Sequence, residues 1–154
     1  MAALLLNAVE IKLLACLNSF EVRYLVVGGH AVAYHGYLRS MKDLDLFIGT
    51  SLENAGRVVT ALQSLRFNGA DLTAEKFSQP NKQIPLGGYY HTELLTSVPG
   101  VDFDPAYNRR VTTYEGSTPI PVISLPDLLL QKLTSARPQD LADIEALANA
   151  STAV

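Results

Sequence analysis

The sequence has a single cysteine, no long apolar run and no excess of basic residues. Cys16 alone cannot form an intrachain disulfide. No basic segment precedes the apolar residues of the opening stretch MAALLLNAVEIKLL, as it would in a secretion signal. The apolar runs are far shorter than the ~20 residues that a membrane-spanning helix needs. We therefore expect a cytoplasmic protein without a membrane partner.

The charge balance limits the ligands that the chain can bind. Twelve Lys and Arg stand against fifteen Asp and Glu, a formal charge of -3, whereas proteins held to nucleic acid mainly by phosphate contacts carry a basic excess. Any contact with nucleic acid must therefore be local. With 48% hydrophobic residues, 154 residues suffice for one packed core. We predict one domain over residues 1–154 and exclude global disorder.

Apolar periodicity and turn residues predict a mixture of helices and strands. Strands are expected over 22–27, 42–49, 89–97, 111–116 and 118–123. Helices are expected over 2–20, over 30–35, from a Thr50 cap to about 67, over 102–110 as a single turn, over 125–135 behind a Ser124 cap, and from Pro138 onward. Residues 70–88 are expected to be an irregular surface segment with one helical turn. The fold class is thus α/β or α+β, a small mixed sheet flanked by helices.

Asp43 and Asp45 form the strongest functional signal. On a strand, residues two apart project from the same face, so the two carboxylates converge while Leu44 and Leu46 face the core. Like charges so placed repel each other, and a hard divalent cation such as Mg²⁺ would offset them. A solvated strand face is the alternative.

A second signal is Gly28-Gly29, which follows the first buried strand and precedes a short helix. Backbone N–H groups exposed at such a turn can bind a phosphate, although a turn that needs positive φ would explain two glycines equally well. The order of strand, Gly-Gly, helix and DxD strand places a phosphate site beside a carboxylate pair.

The segment VVGGHAVAYHGYLRSMKDLDLFIG resembles the opening motif of the nucleotidyltransferases of the DNA polymerase β superfamily, in particular its small stand-alone and abortive-infection (type IV toxin-like) branch. Thirteen residues separate Gly29 from Asp43. The resemblance continues through ELLTSVPGVDFDPAYNRR, PIPVISLPDLLLQKL and RPQDLADIEAL, and so covers about residues 22–148. It implies a nucleotidyltransferase-like fold with a nucleoside triphosphate as substrate and Mg²⁺ or Mn²⁺ as cofactor. It also implies an acceptor hydroxyl on RNA, protein or a small molecule, and a possible protein partner such as an antitoxin.

The resemblance also implies a third carboxylate on a neighbouring strand, which joins Asp43 and Asp45 as catalytic residue and metal ligand. Glu93 is the only acid on the predicted strand YYHTELLTS. Asp102 and Asp104 are alternatives, although they follow the Pro-Gly turn and are expected to lie off the strand. A solvated turn with one of them as a helix cap would explain both equally.

Basic residues complete the expected nucleotide site, with Gly28 and Gly29 as its backbone part. Arg39 precedes the DxD strand and either binds phosphate or pairs with Asp43. Lys132 lies in the apolar run LLLQKL, where it either reaches the triphosphate, as the toxin-like branch implies, or extends along the surface. Asp140 and Asp143 resemble the same branch, but acids in the first turns of a helix are also ordinary partners of its dipole.

Two departures from the family pattern favour an alternative function, and so does Glu93, since many relatives have aspartate as the third carboxylate. Met41 stands where the RxTxD pattern has threonine, and His30 where some relatives have serine. The alternative is a catalytically degenerate module that binds nucleotide or a protein partner. The spacing of His30, His35 and His91 does not suggest a zinc site, and motifs of hydrolases and dehydrogenases are absent from the sequence.

Overall fold

The computed structural model describes residues 4–152, with side chains to residue 150. Its helices are α1 (Ala8–Ser19), α2 (Gly28–Tyr34), α3 (Leu52–Ser64), α4 (Ala74–Phe77), α5 (Phe103–Asn108), α6 (Leu125–Ser135) and α7 (Pro138–Thr152). Its strands are β1 (Tyr24–Val27), β2 (Leu44–Ile48), β3 (Gln83–Pro85), β4 (Thr92–Leu95), β5 (Val111–Glu115) and β6 (Thr118–Val122). Helices flank the strands, which confirms the predicted mixed α and β class.

The six strands form one mixed sheet in the order β3-β4-β2-β1-β6-β5. The central pair β1 and β2 is antiparallel, while β4 runs parallel to β2 and β6 runs parallel to β1. The carboxyl end of β1 therefore lies beside the amino ends of β2 and β4. This end of the sheet is where the residues of both sequence signals meet.

The central strands β1 and β2 are almost entirely apolar in sequence because they are buried. All four residues of β1 are buried, as expected of a strand covered on both faces. In β2 only Asp45 is partly exposed among four buried neighbours. A carboxylate in an otherwise apolar central strand costs desolvation free energy, so its position calls for a functional reason.

Several local predictions are corrected by the structure. Helix α2 begins at Gly28, so the two glycines form its first turn instead of preceding it. The strand expected over 89–97 is limited to Thr92–Leu95, because Gly88–Tyr90 form a 3-10 turn. Helix α1 begins at Ala8 because Asn7 and Glu10 form a reciprocal capping box; the Ala2 start lies outside the described residues. Helix α3 is capped by Ser51 rather than Thr50. Strand β2 begins at Leu44, after Asp43. The segment 70–88 contains β3 as well as α4, because pairing with β4 supplies order that three residues cannot signal alone.

No helix within residues 4–152 is long and apolar enough to cross a membrane.

Candidate active site

Two carboxylates lie side by side at the centre of the sheet. Asp45 of β2 and Glu93 of β4 are register partners on adjacent parallel strands, and Asp45 is also paired with Val27, the last residue of β1. Paired residues of neighbouring strands project from the same face. Sheet pairing therefore brings Glu93, more than forty positions away in sequence, next to the DxD motif.

Gly28 fits the space in front of Asp45 only because it lacks a side chain. A Cβ atom at this position would lie 2.3 Å from Asp45 Oδ2, and the backbone has a positive φ of 65°. Both conditions favour glycine. The first residue of α2 thus approaches the carboxylate so closely that no larger residue could replace it without displacing Asp45.

The environment of Asp45 leaves its negative charge poorly compensated. Its pKa is raised from 3.8 to about 6, first by burial and then by the charges of Glu93 and Asp43. Lys132 and Arg39 oppose the rise but do not cancel it. A site of this kind holds either a proton or a cation, because either one relieves the repulsion between the carboxylates.

A buried lysine forms the opposite side of the site. Lys132 of α6 is 4% exposed, and its Nζ lies 3.3 Å from Asp140 Oδ1 and 3.0 Å from Asp143 Oδ2. Both aspartates belong to the first turns of α7 and are fully buried. The pKa of each is raised by burial, yet hydrogen bonds from arginine and lysine side chains hold it below its usual value. Lys132 is therefore a fixed cation and does not extend along the surface.

Arg39 joins the same network. Its Nε and Nη2 donate to Asp143 Oδ1 and Oδ2 at 2.9 and 3.1 Å, a bidentate arrangement. The predicted pairing with Asp43 is therefore wrong, since the carboxylate that Arg39 binds comes from α7. Arg137 binds Asp140 in a similar way, with Nε donating at 2.9 Å. Asp140 and Asp143 are therefore not only partners of the helix dipole, because together they bind three cations: Arg39, Lys132 and Arg137.

These elements enclose a cavity of about 590 Å³. Six of the seven residues that the sequence assigned to the site line it: Gly28, Gly29, Arg39, Asp45, Glu93 and Lys132. Gln83, Ser97, Gln131, Ser135 and Arg137 add polar groups. The cavity lining therefore combines two acidic residues of the sheet with three basic residues, Arg39, Lys132 and Arg137.

Three other candidates lie elsewhere. Asp43 precedes β2 and is not among the described residues that line the cavity, although it is near enough to raise the pKa of Asp45. Asp102 and Asp104 are exposed at the start of α5 and line a different cavity, together with Arg23. Asp102 occupies the N-cap position, but its side chain accepts no capping hydrogen bond.

Among residues 4–152, no group of three or more His, Cys, Asp and Glu side chains is arranged to hold a metal ion. The pair Asp45 and Glu93 nevertheless has the hard oxygen donors that Mg²⁺ prefers. The uncompensated charge that raises the pKa of Asp45 is the second feature of a cation site. The donor chemistry of this pair of carboxylates therefore fits a divalent cation.

The two departures from the family pattern have definite places. Met41 packs over Gly29, where a Cβ atom would lie 3.2 Å from Met41 Cγ. His30 is buried, with its Nε2 3.9 Å from Glu10 Oε2. Burial lowers the pKa of His30, and the carboxylate of Glu10 opposes this effect. Neither residue is among the described residues that line the cavity.

Five polar residues of the cavity were not predicted as site residues: Gln83, Ser97, Gln131, Ser135 and Arg137. The available signal was spacing: Gln131 and Lys132 precede the buried pair Asp140 and Asp143, whose separation of three places them on one side of α7. Recognising the network required knowing that α6 and α7 pack against each other.

Comparisons with protein-family models and with curated proteins find no match to this chain.

Proposed function

We propose that the protein is a metal-dependent nucleotidyltransferase, which transfers a nucleoside monophosphate from a nucleoside triphosphate to an acceptor hydroxyl and releases pyrophosphate. The observation that carries the proposal is the register pairing of Asp45 with Glu93 in front of Gly28. A carboxylate pair, a close backbone approach and fixed cations thus line one cavity, as phosphoryl transfer requires.

The charge of the cavity supports a requirement for a divalent cation. Around it, Asp45, Glu93, Asp140 and Asp143 oppose only three cations, Arg39, Lys132 and Arg137. Fully ionised, this group is net negative, so it would repel a triphosphate. A bound Mg²⁺ or Mn²⁺ would reverse that balance and neutralise charge on the attacking and leaving oxygens of an in-line displacement.

The roles of the side chains follow from their positions. Asp45 and Glu93 would hold the cation, and Asp43, which does not line the cavity, would add negative charge near Asp45. Lys132 would bind a phosphate oxygen through an N–H group that it does not donate to Asp140 or Asp143. Arg39 would bind phosphate in the same way, through N–H groups that it does not donate to Asp143. Glu93 would also accept the proton of the attacking hydroxyl. Asp140 and Asp143 would position the two cations without contacting the substrate.

The proposal is tested with α-labelled nucleoside triphosphates, Mg²⁺ or Mn²⁺ and a cell lysate as the source of acceptor. Glu93→Gln is expected to keep nucleotide binding and to abolish transfer, because the amide retains the shape but neither the anionic ligand nor the proton acceptor. Glu75→Gln, on the exposed face of α4, is the matched control and is expected to transfer normally.

Two results would contradict the assignment of Glu93. Transfer that survives Glu93→Gln but is lost in Asp102→Asn or Asp104→Asn would move the third carboxylate to α5. The absence of transfer in the wild-type protein with every nucleotide and lysate would favour the second candidate function.

That second candidate is a nucleotide-binding or partner-binding module without catalysis. Met41 favours it, because its side chain covers Gly29 where the family pattern has a hydroxyl. Calorimetry separates the two functions: a binding module would bind a nucleoside triphosphate with similar affinity with and without Mn²⁺ and would show no turnover.

A further inference from the structure

A second charged surface lies at the opposite end of the central strand. Arg23 directly precedes β1, and its carbonyl accepts a hydrogen bond from the N–H of Gly49, just beyond β2. It is therefore separated from Gly28 by the length of β1, roughly 15 Å. Arg110 lies nearby at the end of α5. Within residues 4–152, neither arginine has a carboxylate partner.

Both guanidinium groups are held over the same aromatic ring. The Cζ atoms of Arg23 and Arg110 lie 5.5 and 4.1 Å from the ring centroid of Tyr107. Because both distances end at one centroid, the two guanidinium carbons are at most 9.6 Å apart. Tyr107 is itself stacked on Phe103, at 5.4 Å between centroids. Cation–π attraction thus orients two exposed cations, neither of which forms an ion pair in the part of the chain that the structure describes.

Two adjoining cavities flank this tyrosine, with volumes of about 410 and 240 Å³. They share Asn18, Val22 and Tyr107. Their charged lining consists of Arg23, Arg57 and Arg110 against Glu21 alone, in a chain whose formal charge is -3. The third arginine, Arg57, is paired with Glu53. Arg23 and Arg57 also line the next cavity, which contains Glu53, Asp102 and Asp104. The basic groove is therefore confined to the two cavities around Tyr107.

We propose that this arginine–tyrosine groove binds single-stranded nucleic acid. Arg23 and Arg110 would each bind a phosphate, for which the planar guanidinium is well suited. In the uncharged part of the lining, the exposed Pro119 and the half-buried Pro121 offer apolar surface to unpaired bases. An acidic peptide without aromatic residues would satisfy the charges but, unlike a nucleic acid, has no planar rings to pack on this surface. The proposal does not depend on the transfer activity proposed above.

The test measures binding of a fluorescein-labelled oligouridylate by anisotropy over a salt series. Arg23→Gln and Arg110→Gln are each expected to weaken binding on the order of tenfold at low salt, because each removes one phosphate contact. Each is also expected to reduce the slope of log affinity against log salt by about 0.7. Arg66→Gln, an exposed arginine beyond α3, is the matched control and is expected to change neither quantity.

The conservative variants Arg23→Lys and Arg110→Lys are expected to restore the salt slope, since they keep the charge. Three results would overturn the proposal. The first is no binding by the wild-type protein at low salt. The second is an equal loss in Arg66→Gln, which would indicate a diffuse electrostatic effect. The third is displacement of the oligouridylate by polyglutamate as effectively as by unlabelled oligouridylate, which would identify the groove as a site for an acidic protein.

Discussion

Replacing Asp45 with asparagine is expected to stabilise the metal-free protein at neutral pH. Folding raises the pKa of Asp45 from 3.8 to about 6, with burial as the largest cause. The folded state therefore binds the proton more tightly than the unfolded state does. As the pH rises from about 4 to about 6, the wild-type protein loses stability, and above about pH 6 the full cost of the buried charge is present.

The size of this effect follows from the pKa. A change from 3.8 to about 6 corresponds to an upper limit of about 3 kcal/mol at 1.36 kcal/mol for each pH unit. Because Asp45 is partly exposed to the cavity, solvent screens part of the cost. We therefore expect Asp45→Asn to raise the free energy of unfolding by about 1 to 3 kcal/mol at pH 7. Near pH 4 the difference should almost vanish.

Urea denaturation at a series of pH values measures this difference. Asp104→Asn is the control, since Asp104 is exposed in the first turn of α5 and its loss should lower stability by less than about 1 kcal/mol. Added Mn²⁺ should stabilise the wild-type protein more than Asp45→Asn, because the variant keeps only one of the two paired carboxylates, that of Glu93. A variant that is less stable than wild type at pH 7, or a difference that is independent of pH, would refute the reasoning.

Three further changes test the contacts around the cavity. Gly28→Ala should lower the free energy of unfolding by at least about 2 kcal/mol, because its Cβ would strike Asp45 at a positive φ; the control Gly56→Ala, in open space on α3, should gain up to about 1 kcal/mol. Lys132→Met should lose about 3 kcal/mol in the same measurement, since it leaves two buried aspartates with one cation fewer; an unchanged midpoint would show that the remaining arginines suffice. Gly29→Val should weaken binding of ATP much more than of adenosine in calorimetry, and an equal loss in a folded variant would argue against a phosphate site.

The local structure was largely predictable because its signals are local. Ser124 caps α6 by accepting from the N–H of Asp127, as the spacing predicts. The apolar run before Gly28 forms a strand that is buried throughout, and a helix begins directly after it. The predicted starts of two helices were less accurate. The Asn7 cap starts α1 later than the apolar periodicity predicts, and Ser51 caps α3 instead of Thr50.

The side-chain network of the site was not predictable in the same way. The sequence suggested two partners for Arg39, phosphate and Asp43, but it could not suggest Asp143, more than one hundred residues away. It also could not distinguish a surface position for Lys132 from a buried one. Both outcomes depend on how α7 packs against α6, and that packing is a property of the whole core.

The sequence by itself determined the mixed class of the fold, the buried strand before Gly28, and the presence of a carboxylate in a strand that is otherwise apolar. These features depend on side-chain periodicity and on turn residues, which act over a few positions. Only the tertiary structure decided that Glu93 stands beside Asp45, and that two acids of α7 hold the cations that face them. Strand register and helix packing depend on contacts between distant segments, so no short stretch of sequence contains them.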